Sequence, residues 1–183
     1  MTFSLNHLVI EPAGRSGGQS ALSREAPQLD EVRTFAANHS AFADAMRAFY
    51  AEVDGDIAAR RPVCTNRGHC CRFSEFGHRL YVTDVELAFF ADTMRNDRRL
   101  PDDQGACPYQ INTRCTARDA RPLGCRVFFC DPGAEWQGPV YEQYLACLKQ
   151  LGRRFKIPYR YREWLSALAD VTTGDWPARR ANR

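Results

Sequence analysis

Cysteine carries most of the chemistry that this chain's residues offer. Eight cysteines occur in 183 residues, none of them before position 64. The stretch Cys64-Thr65-Asn66-Arg67-Gly68-His69-Cys70-Cys71 places three thiols within eight residues, with Gly68 to bend it and His69 beside a vicinal pair. Cys107, Cys115, Cys125, Cys130 and Cys147 follow. Soft thiolate sulfur suits zinc and iron–sulfur clusters. Structural zinc favours paired C-x2-C knuckles, which bring two sulfurs to one tetrahedral ion. This chain has none: five residues separate Cys64 from Cys70, seven separate Cys107 from Cys115, and nine separate Cys115 from Cys125. The spacing argues against a zinc ribbon or finger without excluding zinc.

Adjacent side chains point to opposite sides of an extended backbone and diverge by about 100° in a helical turn. Cys70 and Cys71 therefore serve one larger cluster, or two neighbouring metals, more easily than one small ion. Six thiols (Cys64, Cys70, Cys71, Cys107, Cys115 and Cys125) form the predicted metal-ligand set, with an iron–sulfur cluster as the first reading and zinc as the alternative. A metal-free thiol redox site at Cys70-Cys71 ranks third, because a disulfide needs a wider Cα separation than one peptide easily gives. Arg67, Arg72, Arg114, Arg121 and Arg126 flank these cysteines. Guanidinium groups can compensate thiolate charge and tune a cluster; equally, an arginine-rich chain places arginines everywhere.

These residues resemble the YkgJ-like cysteine-cluster family, described as a zinc- or iron-chelating domain. Its C-x2-C-x2-C-C motif aligns with Cys64, Arg67, Cys70 and Cys71. Its C-P-[FY] and C-x9-C pattern aligns with Cys107-Pro108-Tyr109, Cys115 and Arg121-Pro122-Leu123-Gly124-Cys125-Arg126. The likeness covers roughly residues 60–130. It departs from the pattern at Arg67, which stands where the family has its second cysteine, and at Arg118, where an aromatic residue or histidine is expected. Cys130 and His69 are the nearest residues able to substitute for the missing ligand. Members are commonly described as iron–sulfur proteins, and a related domain occurs in flagellin lysine methylases. Redox or methyl-transfer chemistry is thus implied by resemblance alone; the chain has no adenosylmethionine-binding glycine motif, and no catalytic residue is assigned.

Composition bounds the remaining classes. A 44% hydrophobic fraction with 26% charged residues is globular rather than disordered. Net charge is only +3, and no basic run interleaved with aromatics marks a nucleic-acid groove. Met1–Ile10 lacks a basic n-region, and Leu8-Val9-Ile10 is too short for a signal peptide. No apolar run approaches the roughly 18 residues of a membrane span. The expected location is the cytoplasm, where thiols stay reduced and read as ligands rather than disulfides. Neither nucleic acid nor membrane is an expected partner, and any protein partner is unspecified.

The elements that must position the thiols follow from periodicity. The sequence predicts one mainly α domain of three to four helices around an irregular cysteine-rich metal centre, with at most a short strand pair. Residues 1–27 read as a flexible leader, 28–172 as the cysteine-cluster domain and 173–183 as a basic tail. Val32, Phe35, Ala36, His39, Phe42, Met46, Phe49, Val53 and Ile57 mark one face of a helix over 30–60. His39 reads as a core histidine rather than a ligand, and Asp54-Gly55-Asp56 as a weak point. His78–Val82 reads as a strand, and Thr83-Asp84-Val85-Glu86 as a capping box opening a helix to Met94. A second strand is expected at Arg126–Phe129, a turn at 131–133, and helices at 138–155 and 161–171. Cys147, on the apolar face of the former, reads as a small buried hydrophobe.

Overall fold

A computed structural model describes residues 40–130 and 135–173. The leader, Val32, Phe35, Ala36, His39, the 131–133 turn and most of the basic tail lie outside the described residues. Helix α1 (Ser40–Arg60) buries Phe42, Met46, Phe49, Val53 and Ile57, the face the periodicity predicts. It runs unbroken through Gly55. Glycine costs about 1 kcal/mol relative to alanine there, but Val53 and Ile57 are buried on either side. The Tyr144 hydroxyl also donates to Asp56 at 3.2 Å, and Arg126 pairs with Asp54.

Strand β1 (Tyr81–Thr83) leads directly into α2 (Asp84–Thr93), and the capping box is complete. Thr83 Oγ1 accepts from the Glu86 amide at 3.3 Å, and Glu86 Oε2 accepts from the Thr83 amide at 2.7 Å. Residues 84–91 of α2 are all buried, as expected of a helix with apolar surface all round. Val85, Ala88 and Phe89 face one core, shared with α1, α3 (Leu123–Val127) and α4 (Gln137–Arg154). Leu87, Phe90 and Ala91 face another, built with α5 (Trp164–Thr173), Phe73, Tyr109 and Ala117. Helix α2 is the wall between the two cores.

Among the described residues, 53% are helical, in five helices with short antiparallel strand pairing, a mixed make-up that is neither plainly mainly α nor against it. Two strand pairs form where at most one was expected. β1 pairs with β4 (Tyr161–Glu163), Val82 opposite Arg162, so α5 starts at Trp164 rather than 161. β2 (Gln110–Ile111) and β3 (Arg114–Cys115) form a hairpin turning at Asn112 and Thr113, with φ of 48° and 67°. The expected strand at Arg126–Phe129 is not formed. Residues 123–127 make the helical turn α3 instead, because Arg126 points inward, 3% exposed, and bonds the carbonyls of Arg118, Asp119 and Arg121. None of the described helices is long and apolar enough to cross a membrane.

Candidate metal centre

Gly68 begins the site. Its φ of 71° is in the left-handed region, and a Cβ there would sit 1.9 Å from Gln110 Nε2. A Cβ would push the Gln110 side chain aside and press on Thr113 Cα at 3.2 Å, and the left-handed φ itself favours glycine. Gln110 Nε2 donates to Gly68 O at 2.8 Å, and the chain then turns through a 3₁₀ segment, His69–Cys71. The Cys107 amide donates to Cys71 O at 2.7 Å. The two halves of the cysteine pattern are thereby joined backbone to backbone.

Cys125 arrives from α3, whose first amide is capped from a distance. The Leu123 N–H donates to Glu86 Oε1 at 2.7 Å. Glu86 is 1% exposed, and its other oxygen accepts from both the amide and the hydroxyl of Thr83. One buried carboxylate thus closes the N-terminus of α2 and fixes the N-terminus of the cysteine helix. Burial pushes its carboxyl above the usual value, and the Thr83 and Leu123 donors oppose that shift.

Cys70, Cys71, Cys107, Cys115 and Cys125 line one recess of about 50 Å³. Trp164, Phe90 and Tyr109 also line it, Phe90 meeting the other two rings edge-on at 4.8 and 5.1 Å. Cys70 Sγ and Cys71 Sγ are 3.9 Å apart. The Cys71 bond lowers the Cys70 thiol to about 6 and is also the main cause lowering Cys107 to about 7. Cys71 itself is raised by its bonds to Cys107 and Cys70, and burial raises Cys115 and Cys125. Binding a metal through these thiols would release the protons still held, as thiolate ligation requires.

Of the flanking arginines, Arg121 lines the recess, and its buried Nε has no hydrogen-bond partner among the described residues. With Arg118 it favours the charged form of Cys115. Arg126 serves the fold instead, pairing with Asp54 and lying 4.0 Å over Tyr50. Arg72 is spent on Glu75 at 2.8 Å. Arg67, at the motif's second cysteine position, is exposed.

The other nominated residues lie apart. Cys64 is exposed, its thiol 3.7 Å from Asn66 Oδ1, and does not line the recess. Cys130 and His69 line a neighbouring cavity rather than the recess. His69 is stacked on Phe76 at 4.0 Å. Cys147, expected to be buried, is only half-buried; it packs against the first core and donates to Gln143 O at 3.5 Å. Among the described residues, no group of three or more His, Cys, Asp or Glu side chains stands close enough to hold one metal ion. Sequence reasoning missed the tie from Glu86 to Leu123 and Trp164's place at the recess. Trp164 showed only as part of a helix face, and nothing local marks the Glu86 tie.

No family model, curated protein or solved structure matches this chain.

Proposed function

We propose that this is a metal-binding cysteine-cluster protein of the YkgJ-like kind, holding an iron–sulfur cluster through thiolates of the 64–71 and 107–125 segments. The observation that carries the proposal is the convergence of five thiols, from four separate pieces of chain, on one recess beside an unpaired Arg121 N–H. Its volume of about 50 Å³ suits a compact inorganic centre; pockets for organic ligands run to roughly 300–1,000 Å³. The donor set fits. A polynuclear cluster places its own atoms between its ligands, so its thiolates need not crowd round one point as single-ion ligands do. Cys70, Cys71, Cys107, Cys115 and Cys125 would supply the ligands, with Cys64 the remaining thiol of the motif. When bound, such a cluster supplies one-electron chemistry. The chain's part is to shield the centre with Phe90, Tyr109 and Trp164 and to offset its charge with Arg121.

One observation favours zinc as the second reading. The 3.9 Å between Cys70 Sγ and Cys71 Sγ matches the sulfur–sulfur edge of about 3.8 Å that tetrahedral Zn–S bonds of about 2.3 Å imply. The 3₁₀ turn brings the vicinal pair onto one side, where a regular strand would split it. Anaerobic purification followed by visible absorption and analysis for iron, acid-labile sulfide and zinc separates the readings. Iron with sulfide in a brown protein is the expected result. A colourless protein with stoichiometric zinc overturns the iron assignment, and a metal-free protein that stays folded under chelator overturns both.

A further inference from the structure

Beside the thiol recess lies a second cavity of about 440 Å³, and Cys70 and Cys125 line both. The metal-binding reading makes no use of it. Its size is that of a small-molecule pocket, which typically combines apolar walls with a few convergent polar groups. The walls come from Phe73, Leu80, Phe128 and Phe129. The charged or titratable groups other than thiols are Arg79, His69 and His78, and no Asp or Glu lines the cavity among the described residues.

Arg79 is exposed and differs from Arg72 and Arg126 beside the site. Arg72 is held by Glu75, and Arg126 by Asp54. Arg79 has no hydrogen-bond or ion-pair partner among the described residues. His78 is oriented with Nε2 3.4 Å from Cys70 O, and His69 by its stack on Phe76. A cationic ligand would find no carboxylate among the described lining residues and would face Arg79, and a neutral apolar one would leave the guanidinium idle. An apolar body carrying one negative group uses every feature of the cavity, because guanidinium pairs with a carboxylate through two parallel bonds.

We propose that this cavity binds a small apolar carboxylate, its body against the phenylalanine walls, its carboxylate on Arg79, and one flank against Cys70 and Cys125. The proposal rests on the metal-centre reading only for what the ligand meets at that flank. Binding itself requires no metal, so the two ideas fail separately.

The test uses the purified full chain with anilinonaphthalene sulfonate as fluorescent probe, displaced by phenylpropionate or by phenylpropylamine. Metal content is measured on the same sample. Phenylpropionate should displace the probe at a concentration about tenfold lower than the amine, the scale of one charge-assisted pair. Arg79→Gln should erase that difference. Phe128→Asp, at a position 47% exposed and therefore tolerant of change, should weaken acid binding by about tenfold or more through like-charge repulsion. Equal displacement by acid and amine overturns the proposal, as does an unchanged acid affinity in Arg79→Gln. A probe signal unaffected by either substitution places the dye elsewhere and overturns it too. Acid-selective binding by a metal-free protein keeps the pocket and removes the metal centre; metal without acid-selective binding does the reverse.

Discussion

Replacing Glu86 with glutamine asks whether one buried carboxylate holds the cysteine helix in place. Glu86 is 1% exposed and accepts three hydrogen bonds: from the Thr83 amide at 2.7 Å, the Thr83 hydroxyl at 2.8 Å and the Leu123 amide at 2.7 Å. Glutamine keeps the shape but has a single acceptor atom. If its oxygen faces Leu123, its NH₂ meets the Thr83 N–H donor to donor, and only the hydroxyl can turn to accept. If it faces Thr83, the Leu123 amide is orphaned. Either way one buried donor loses its partner, at about 1–3 kcal/mol. Relief from burying a charge returns part of that, so the expected net loss is about 1–2 kcal/mol. A domain stable by roughly 5–15 kcal/mol stays folded. Glu86→Ala removes all three acceptors and leaves a cavity, so about 3–5 kcal/mol is expected. Urea denaturation of the metal-loaded chain at neutral pH, compared at equal metal occupancy, measures the stability term. The rate of metal loss to a chelator measures the positional one, because α3 carries Cys125. A Glu86→Gln protein as stable as the parent, with equal metal retention, would refute the bridging role. Lost stability with unchanged metal loss would show that the cap serves α2 alone.

Five further substitutions probe the site and the fold around it. Cys70→Ser and Cys125→Ser should each strip metal and destabilise the fold, whereas Cys147→Ser, away from the recess, should leave metal content intact; full metal in Cys125→Ser would show that the site is misassigned. Gly68→Ala forces a Cβ to 1.9 Å from Gln110 Nε2 at a φ of 71°, and should cost about 1–3 kcal/mol and loosen metal by shifting the His69–Cys71 turn, read as faster release to chelator. Gly55→Ala has nothing within 4 Å of the new methyl and should stabilise by up to about 1 kcal/mol in thermal unfolding, with metal content unchanged.

Elements whose signal is local were legible in the sequence. The α1 stripe from Phe42 to Ile57, the capping box at Thr83 and Glu86, and the Trp164–Val171 face each depend on neighbours a few residues away. So did the two-part nature of the site, since the cysteine groups could be counted before their meeting was seen. What escaped detection depends on partners far along the chain. Residues 126–129 carry strand-forming side chains, yet Arg126 is turned inward by a carboxylate 72 positions earlier, Asp54, and the segment coils as α3. Tertiary context overrides propensity most easily in short segments, where propensity contributes least.

The placement of Cys64 follows the same logic in reverse. Its neighbours Cys70 and Cys71 are held by the Cys107 amide on Cys71 O and by Gln110 on Gly68 O. Both bonds act C-terminal to Arg67. Among the described contacts, no hydrogen bond from the second cysteine group reaches residues 64–67; Arg61 and Asn66 stand at positive φ, and Cys64 is exposed. Under the proposed YkgJ-like reading, the motif's second cysteine would fall at Arg67, midway between Cys64 and Cys70. A thiolate there would tie that loop to the metal and draw the first cysteine with it. Arginine supplies no such tie, and among the described contacts the Cys64 thiol meets Asn66 Oδ1. On this argument, restoring the motif with Arg67→Cys should slow metal release to chelator about tenfold or more, the scale on which metal-site partners act. It should also protect Cys64 from alkylation in the metal-loaded protein. Cys64 alkylated as fast in that variant as in the parent would break the link between Arg67 and the detached thiol.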